Sequence, residues 1–312
     1  MYLVCGEALF DLFSADEAGA PANKVAFQAI AGGSPFNVAV GLRRLGIDAA
    51  LLAGLSRDYL GQRLRQVLDN EGVDTGYLQE FEAPTTLAMV AVGADGSPHY
   101  SFRGEGCADR QLLVAHLPEL GEQVRGLHIG SYCLVVQPIA DTLLALARRE
   151  RGRRLISLDP NVRLGPQPDI QLWRQRIDEL AAQADLIKVS DEDLEQLYPG
   201  QAPEVLIRGW LQGSAKLVFL TRGSQGATVF SQQHGHWSVA TPKVQVADTV
   251  GAGDTFQAAL IAWLTEQGLD SPQGLAQLER EQIDALLRFA VNAAALTCTR
   301  TGPDLPYRHQ LD

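Results

Sequence analysis

The chain has no G-x-x-x-x-G-K-[ST] run, which excludes a P-loop nucleotide site. No G-x-G-x-x-G follows its first strand pattern, which disfavours a nicotinamide-dependent oxidoreductase. Neither H-E-x-x-H nor G-x-S-x-G occurs, and the six histidines form no Cys/His ligand cluster. Cysteine is sparse. Cys5, Cys107, Cys133 and Cys298 are far apart, contain no C-x-x-C pair, and read as buried reduced thiols of a cytoplasmic protein. Basic residues are the minority, 26 Lys and Arg against 37 Asp and Glu, for a net charge of -11. Such a surface has no electrostatic reason to seek nucleic acid or an anionic membrane. A bound nucleotide would need local donors or a metal. No apolar run approaches the ~20 residues of a membrane helix. The start, Met1 to Glu7, has no basic segment and meets Glu7 and Asp11 early, unlike a signal peptide.

With 46% hydrophobic and 20% charged residues the composition is that of a globular enzyme, and 312 residues fit one α/β domain spanning 1–312. One stretch organises it, Asp248-Thr-Val-Gly-Ala-Gly-Asp254, followed by an apolar helical pattern from Thr255 to Leu264. Gly251 and Gly253 allow a tight bend and close approach to a ligand. The unpaired N–H groups of a helix start and the helix dipole make an anion site there. Asp254 beside a bound anion repels it. That arrangement makes sense if the carboxylate takes a proton from a nucleophile attacking the anion, as in phosphoryl transfer to an alcohol. Taken alone, the same residues are also a capped turn.

A second cradle is Ala31-Gly32-Gly33-Ser34-Pro35-Phe36-Asn37, where paired glycines, a serine and Pro at the first helical position mark a helix start. The Asn37 amide falls one turn in, on the side of the glycine backbone. Asp11 reads as a turn acid or as a ligand for a polyhydroxylated molecule. Residues 77–103 read as strands without intervening helices, with a turn over 94–98. With the segment before the first helix they form a small β-lid, about residues 12–30 and 77–105. Arg103 would overhang what the lid covers or be an exposed hairpin arginine. From 124 onward strands and helices alternate, which predicts a mostly parallel sheet with helices on both faces. Ligands bind off the carboxyl ends of such strands. Asn161, Arg163, Lys188, Ser190 and Thr221 to Gly226 all fall there, and the final helix, 280–300, carries Asn292 as an inward polar candidate.

The two glycine motifs, in this order, are similar to the two signatures of the ribokinase-like (PfkB) carbohydrate kinases. Gly6 to Asp11, Tyr100 to Arg103 and Asp159 to Arg163 resemble those of bacterial fructokinases. The resemblance covers essentially the whole chain. It implies a ribokinase-like three-layer α/β/α fold with a β-lid that closes over a sugar, and Asp254 as base on a sugar hydroxyl. The N–H groups of Gly251, Ala252 and Gly253 would form the anion hole. Asp11, Gly32, Gly33 and Asn37 would hold sugar hydroxyls, with Arg103 and Arg163 near sugar or phosphate. Thr221, Gly223, Gly226 and Asn292 would line the ATP site, with Lys188 and Ser190 towards the phosphates. Mg²⁺ is expected through water on Glu192 or Asp193, where Ser190 departs from the family's Asn-x-x-Glu. Many members use a monovalent cation such as K⁺, here at Asp248, Thr249 and carbonyls near Gly302. D-fructose is the expected acceptor. 2-Keto-3-deoxygluconate, ribose or a nucleoside is the alternative, and a sugar-binding regulator without catalysis is the reading from another class. The exposed lid sheet offers a surface for a homodimer.

Overall fold

The computed structural model describes residues 1–15, 23–92 and 98–311. Short apolar runs make the strands, and glycines or acids end them. β1 (Tyr2–Cys5) stops before Gly6, β2 (Leu9–Ser14) follows, and β3 (Phe27–Gly32) returns antiparallel to β2, with Asp11 opposite Ile30. α1 (Ser34–Arg44) starts after Gly33, and β4 (Ala49–Leu52) and β5 (Gly54–Ser56) follow. α2 (Tyr59–Asn70) is capped by Asp58, whose carboxylate accepts the Gly61 N–H at 2.7 Å. Such a cap contributes about 1 kcal/mol. Then come β6 (Gln79–Phe81), β7 (Leu87–Val92), β8 (Pro98–Arg103) and β9 (Gly126–Gly130).

The alternating half contains α3 (Ile139–Glu150), β10 (Leu155–Asp159), α4 (Ile170–Ala181), β11 (Leu186–Ser190), α5 (Asp191–Leu197), α6 (Pro203–Gln212) and β12 (Leu217–Thr221). A hairpin of β13 (Ala227–Ser231) and β14 (Gly235–Val239) precedes α7 (Ala252–Glu266), α8 (Pro272–Ala276) and α9 (Arg280–Thr297).

The main sheet has the order β14-β13-β12-β11-β10-β9-β1-β4, parallel from β4 to β12 and antiparallel through β13 and β14. Its central strands are buried on both faces, which is why they read as unbroken apolar runs. On one face α1, α2, α7 and α9 bury Phe36, Leu64, Phe256 and Leu287. On the other, α3 to α6 bury Leu143, Trp173, Leu194 and Trp210. The result is the expected three-layer α/β/α architecture.

A four-stranded sheet, β3-β2-β7-β8, stands beside it. The segment near 77–81, expected in that small sheet, is elsewhere: β6 pairs parallel with β5, and the Gln79 N–H reaches Ala53 O at 2.9 Å. Three-residue strands carry too little alternation to declare a partner. The lid segment expected over about 12–30 and the turn expected over 94–98 fall partly outside the described residues. The last helix ends at Thr297 rather than Arg300, because the Cys298 carbonyl accepts the N–H of Ala247 at 2.8 Å and anchors the approach to Asp248. Among the described residues no helix is long and apolar enough to cross a membrane.

Candidate active site

Parallel strands that end together place Gly6, Gly130, Asp159, Ser190 and Thr221 along one edge of the main sheet. The N-terminus of α7 points at that edge. Gly251 precedes α7 with φ 81, a left-handed conformation, and a Cβ there would stand 2.9 Å from Pro303 Cα. Any other residue would be strained and would push the turn away. The turn is braced from behind. Asp248 Oδ1 accepts the N–H groups of Thr249 at 2.7 Å and Val250 at 3.1 Å, and Oδ2 accepts the Gly302 N–H at 2.8 Å. The Ala252 N–H donates to Thr249 O at 3.2 Å, so this expected anion-hole donor is engaged within the turn. Of the three expected donors, the N–H groups of Gly251 and Gly253 have no acceptor among the described residues and remain for an anion.

Asp254 lies in the first turn of α7 and is only 7% exposed. Ser34 Oγ donates to its Oδ1 at 2.7 Å, and Asn37 Nδ2 donates to its Oδ2 at 2.8 Å. Asn37, expected against a sugar hydroxyl, thus holds the acid here. Ser34 was legible only as a helix-start residue. In fact Gly33 occupies the cap position, and the Ser34 hydroxyl makes no capping bond and turns to Asp254. Burial pushes the Asp254 carboxyl above the ordinary aspartate range. The bonds from Ser34 and Asn37 and the charges of Lys188 and Arg163 offset part of this. The sign of one consequence is fixed. Ser34→Ala removes a donor that favours the carboxylate, so the Asp254 pKa rises further. The acid limb of turnover against pH should then move to higher pH, which steady-state rates across pH would read; an unmoved limb would remove Ser34 from the site.

Lys188, expected towards the phosphates, lies next to the glycine turn. It is buried, and Nζ contacts Asp159 Oδ2 at 2.9 Å. A Cβ on Gly253 would stand 3.0 Å from this ammonium, which therefore sits directly beneath the turn. Burial opposes its charge, but Asp159, Asp193 and Asp254 outweigh burial and hold its pKa above the ordinary lysine value. Asp159 itself is pushed up to about 6 by burial, against the charge of Lys188. A further buried polar layer underlies α7, where Gln257 Nε2 donates to Ser157 Oγ at 2.7 Å and His128 Nδ1 meets the same hydroxyl at 3.3 Å. Burial holds His128 neutral, down to about 3.

At the sugar-side end, a Cβ on Gly32 would land on the Asp11 carboxylate, so cradle and acid are adjacent. Burial raises Asp11 to about 6; Arg163 opposes this and Asp254 adds to it, so the three charges share one space. Arg163 is exposed. The described side-chain bonds of Arg103 stay on its own strand, to Ser101 Oγ at 2.9 Å and Phe102 O at 3.3 Å. Phe102 meets the Tyr132 ring edge-on at 6.2 Å and packs where Gly165 lacks a side chain, docking the small sheet onto the loop after β10.

On the other end, Thr221 closes β12, and the turn from Gly223 to Gly226 leads into β13. Thr241 Oγ1 donates to Gly223 O at 3.1 Å. Asn292 is exposed on α9, the helix packed on β13 and β14. Ser190 caps α5 through a reciprocal arrangement with Asp193, whose oxygens accept the N–H groups of Val162 at 2.9 Å and Ser190 at 3.4 Å. Glu192 is exposed. Among the described residues no three His, Cys, Asp or Glu side chains cluster to hold a metal. Two groups beyond the expected set belong to this edge, Ser34 and Asp159. Each is an ordinary polar residue in its local window, and only its long-range partner marks it.

A family model described as pfkB family carbohydrate kinase matches residues 1–310. A fructokinase of Rhizobium leguminosarum bv. trifolii is 37% identical over 283 residues, covering 91% of this chain and 85% of the relative. A solved fructokinase with bound ATP from Xylella fastidiosa is 28% identical and superposes with a TM-score of 0.90, over 99% of this chain and 96% of that one. A double-mutant fructokinase of Vibrio cholerae O395, solved in a form with fructose, ADP and potassium ion bound, is 26% identical with a TM-score of 0.81, over 99% and 96% of the two chains.

Proposed function

The chain belongs to the pfkB family of carbohydrate kinases, and from that premise we propose that it transfers the γ-phosphoryl group of ATP to D-fructose, giving fructose 6-phosphate and ADP. The observation that carries the reading is the Asp254 carboxylate. It is buried and held on both oxygens, and it shares one helix start with the two free N–H groups of Gly251 and Gly253. In the reaction a sugar hydroxyl oxygen forms the new bond to the γ-phosphorus as the bond to the β-phosphate oxygen breaks. The hydroxyl proton passes to Asp254. The raised pKa of Asp254 makes it a better proton acceptor than an exposed aspartate. The Gly251 and Gly253 N–H groups, with Lys188 beneath them, stabilise charge on the transferring group in a water-poor site.

Asp11, Gly32, Gly33 and Asn37 orient the sugar hydroxyls, with Arg163 and Arg103 at the rim. Ser190, Thr221, Gly223, Gly226 and Asn292 line the nucleotide side. Bound with ATP, Mg²⁺ would neutralise phosphate charge, and Glu192 or Asp193 would hold it through water. The acids at 192 and 193 suit that outer role, Glu192 by exposure and Asp193 by being fixed to backbone. K⁺ would sit among carbonyls of the two loops that Asp248 ties together, near Thr249 and Gly302. The four-stranded sheet acts as the lid and excludes water that the base would otherwise set on ATP. Its exposed residues Val25 and Phe27 support a homodimer through the same sheet, and a cytoplasmic location belongs to this reading.

A panel of fructose, ribose, 2-keto-3-deoxygluconate and nucleosides, followed by ADP release, tests the assignment. Fructose should give the highest kcat/KM. A sugar acid that outruns fructose would move the substrate, and no ADP with any sugar would favour a binding protein.

A further inference from the structure

Glu7 follows β1 and plays no part in the chemistry above, yet it is 1% exposed at the carboxyl edge of the main sheet. Its Oε1 accepts the N–H of Ser34 at 3.3 Å. That N–H is one of the first-turn groups of α1 that a helix cannot satisfy internally, and the helix dipole favours an acid there. The two segments are pressed together. A Cβ on Gly33 would stand 3.1 Å from Glu7 O and 3.2 Å from Glu7 Cγ, and one on Gly6 would collide with the Pro35 ring. Ser34 therefore has two fixed ends, its N–H on Glu7 and its hydroxyl on Asp254. One turn later the same helix brings Asn37 to the other oxygen of Asp254.

We infer that Glu7 is a positioning residue for phosphoryl transfer: it pins the first turn of α1 so that Ser34 and Asn37 meet the carboxylate of Asp254. This rests on Asp254 being the base. Glu7 does not touch the reacting atoms and acts through Ser34.

The charge on Glu7 is poorly compensated where it lies. Burial pushes its carboxyl up to about 7; the Ser131 hydroxyl and Cys133 thiol offset part of this, and Asp109 adds to it. Its second oxygen, Oε2, has no hydrogen-bond partner among the described residues. The groups around it come from two turns. Asp109 and Arg110 belong to the turn Ala108–Arg110, and Ser131, Tyr132 and Cys133 to the turn Ser131–Leu134. Asp109 accepts the Tyr132 hydroxyl at 2.8 Å and the Thr86 hydroxyl, and Arg110 lies over the Tyr132 ring at 5.6 Å. Asp109 is also raised by burial, and the Cys133 thiol is raised well above its ordinary value, also chiefly by burial. Between the ordinary glutamate value of 4.5 and about 7, the folded chain holds a proton here that the unfolded chain has lost. Stability from Glu7 therefore falls as pH rises across that window. A neutral isostere should be more stable at alkaline pH.

The test compares Glu7→Ala, Glu7→Gln and Asp254→Asn in the full chain with fructose and MgATP. Glu7→Ala should lower kcat by about tenfold to a hundredfold, the scale of a displaced catalytic group, while KM for ATP stays within about twofold. Glu7→Gln keeps an acceptor for Ser34 but cannot ionise. It should recover most of the kcat that Glu7→Ala loses, and its Tm should exceed that of the parent at about pH 8 and converge with it at about pH 5. A Glu7→Gln variant no faster than Glu7→Ala, or a Glu7→Ala variant with lower Tm and unchanged kcat per folded molecule, overturns the proposal. Failure of the base reading shows separately, as substantial kcat in Asp254→Asn.

Discussion

Asp254→Asn should lower kcat by about 10²–10⁴-fold, the usual worth of a general base, while ATP affinity stays within about twofold. The substitution keeps shape and burial, so packing is not in question. Ser34 can still donate to the amide oxygen at position 254. Asn37 then faces an amide NH₂ across what is now a 2.8 Å bond, and one of the two side chains must turn. What is lost is the acceptor for the sugar proton, and no other group close to it can replace it. Asp11 and Asp159 are both raised to about 6, but Asp159 is paired with Lys188, and Asp11 lies across the cradle beside Gly32. ATP should bind nearly as before, because the Gly251 and Gly253 N–H groups and the 221–226 turn are untouched. Steady-state kinetics with an independent nucleotide titration measures both quantities. A residual kcat above about a tenth of the parent would end the base assignment.

Lys188→Met should be the most damaging change behind the turn, lowering both stability and turnover. The Lys188 and Asp159 side chains are 4% and 0% exposed and meet at 2.9 Å, so neither partner has water to fall back on. Removing one partner of such a pair costs about 3–5 kcal/mol, because the other is left as a buried charge. Here the loss is capped by proton uptake. Asp159, already raised to about 6, rises further without the ammonium and is neutral near pH 7. Adding Asp159→Asn should therefore restore much of the stability. It should not restore turnover, since the positive charge beneath Gly253 is still missing. Urea unfolding and kcat for the single and double variants separate the two effects. A single variant within about 1 kcal/mol of the parent would show that the pair does not hold this region.

The fold was legible because its signals are local and repeated. Runs such as Leu155 to Leu158 and Leu217 to Leu220, separated by helix-length segments, announce buried parallel strands, and parallel strands force their carboxyl ends onto one edge. The glycine turn before α7 and the paired glycines before α1 were equally plain. Partners were not. The Ser34 hydroxyl has the same local sequence whether it caps its own helix or reaches an acid 220 residues away. Lys188, on an apolar strand, reads alike as a phosphate ligand or as half of a buried pair. The β6 strand and α8 were missed as a neighbour and as an element because three and five residues carry no period. Glu7 stood in the Gly6 to Asp11 motif without a role, since its role depends on a helix that begins 27 residues later.

The two bonds that hold Asp254 span 220 and 217 residues of chain. Synthesis runs from the first of these partners to the last, at about 5–20 residues per second. While the ribosome is still making the middle of the molecule, the segment bearing Ser34 and Asn37 is already made and has nothing to grip. The glycine turn and its carboxylate emerge together, late, on α7, so at no stage of synthesis does the chain present the carboxylate without the turn that gathers the anion. The order of residues along the chain thus completes the base and its anion turn in one late step.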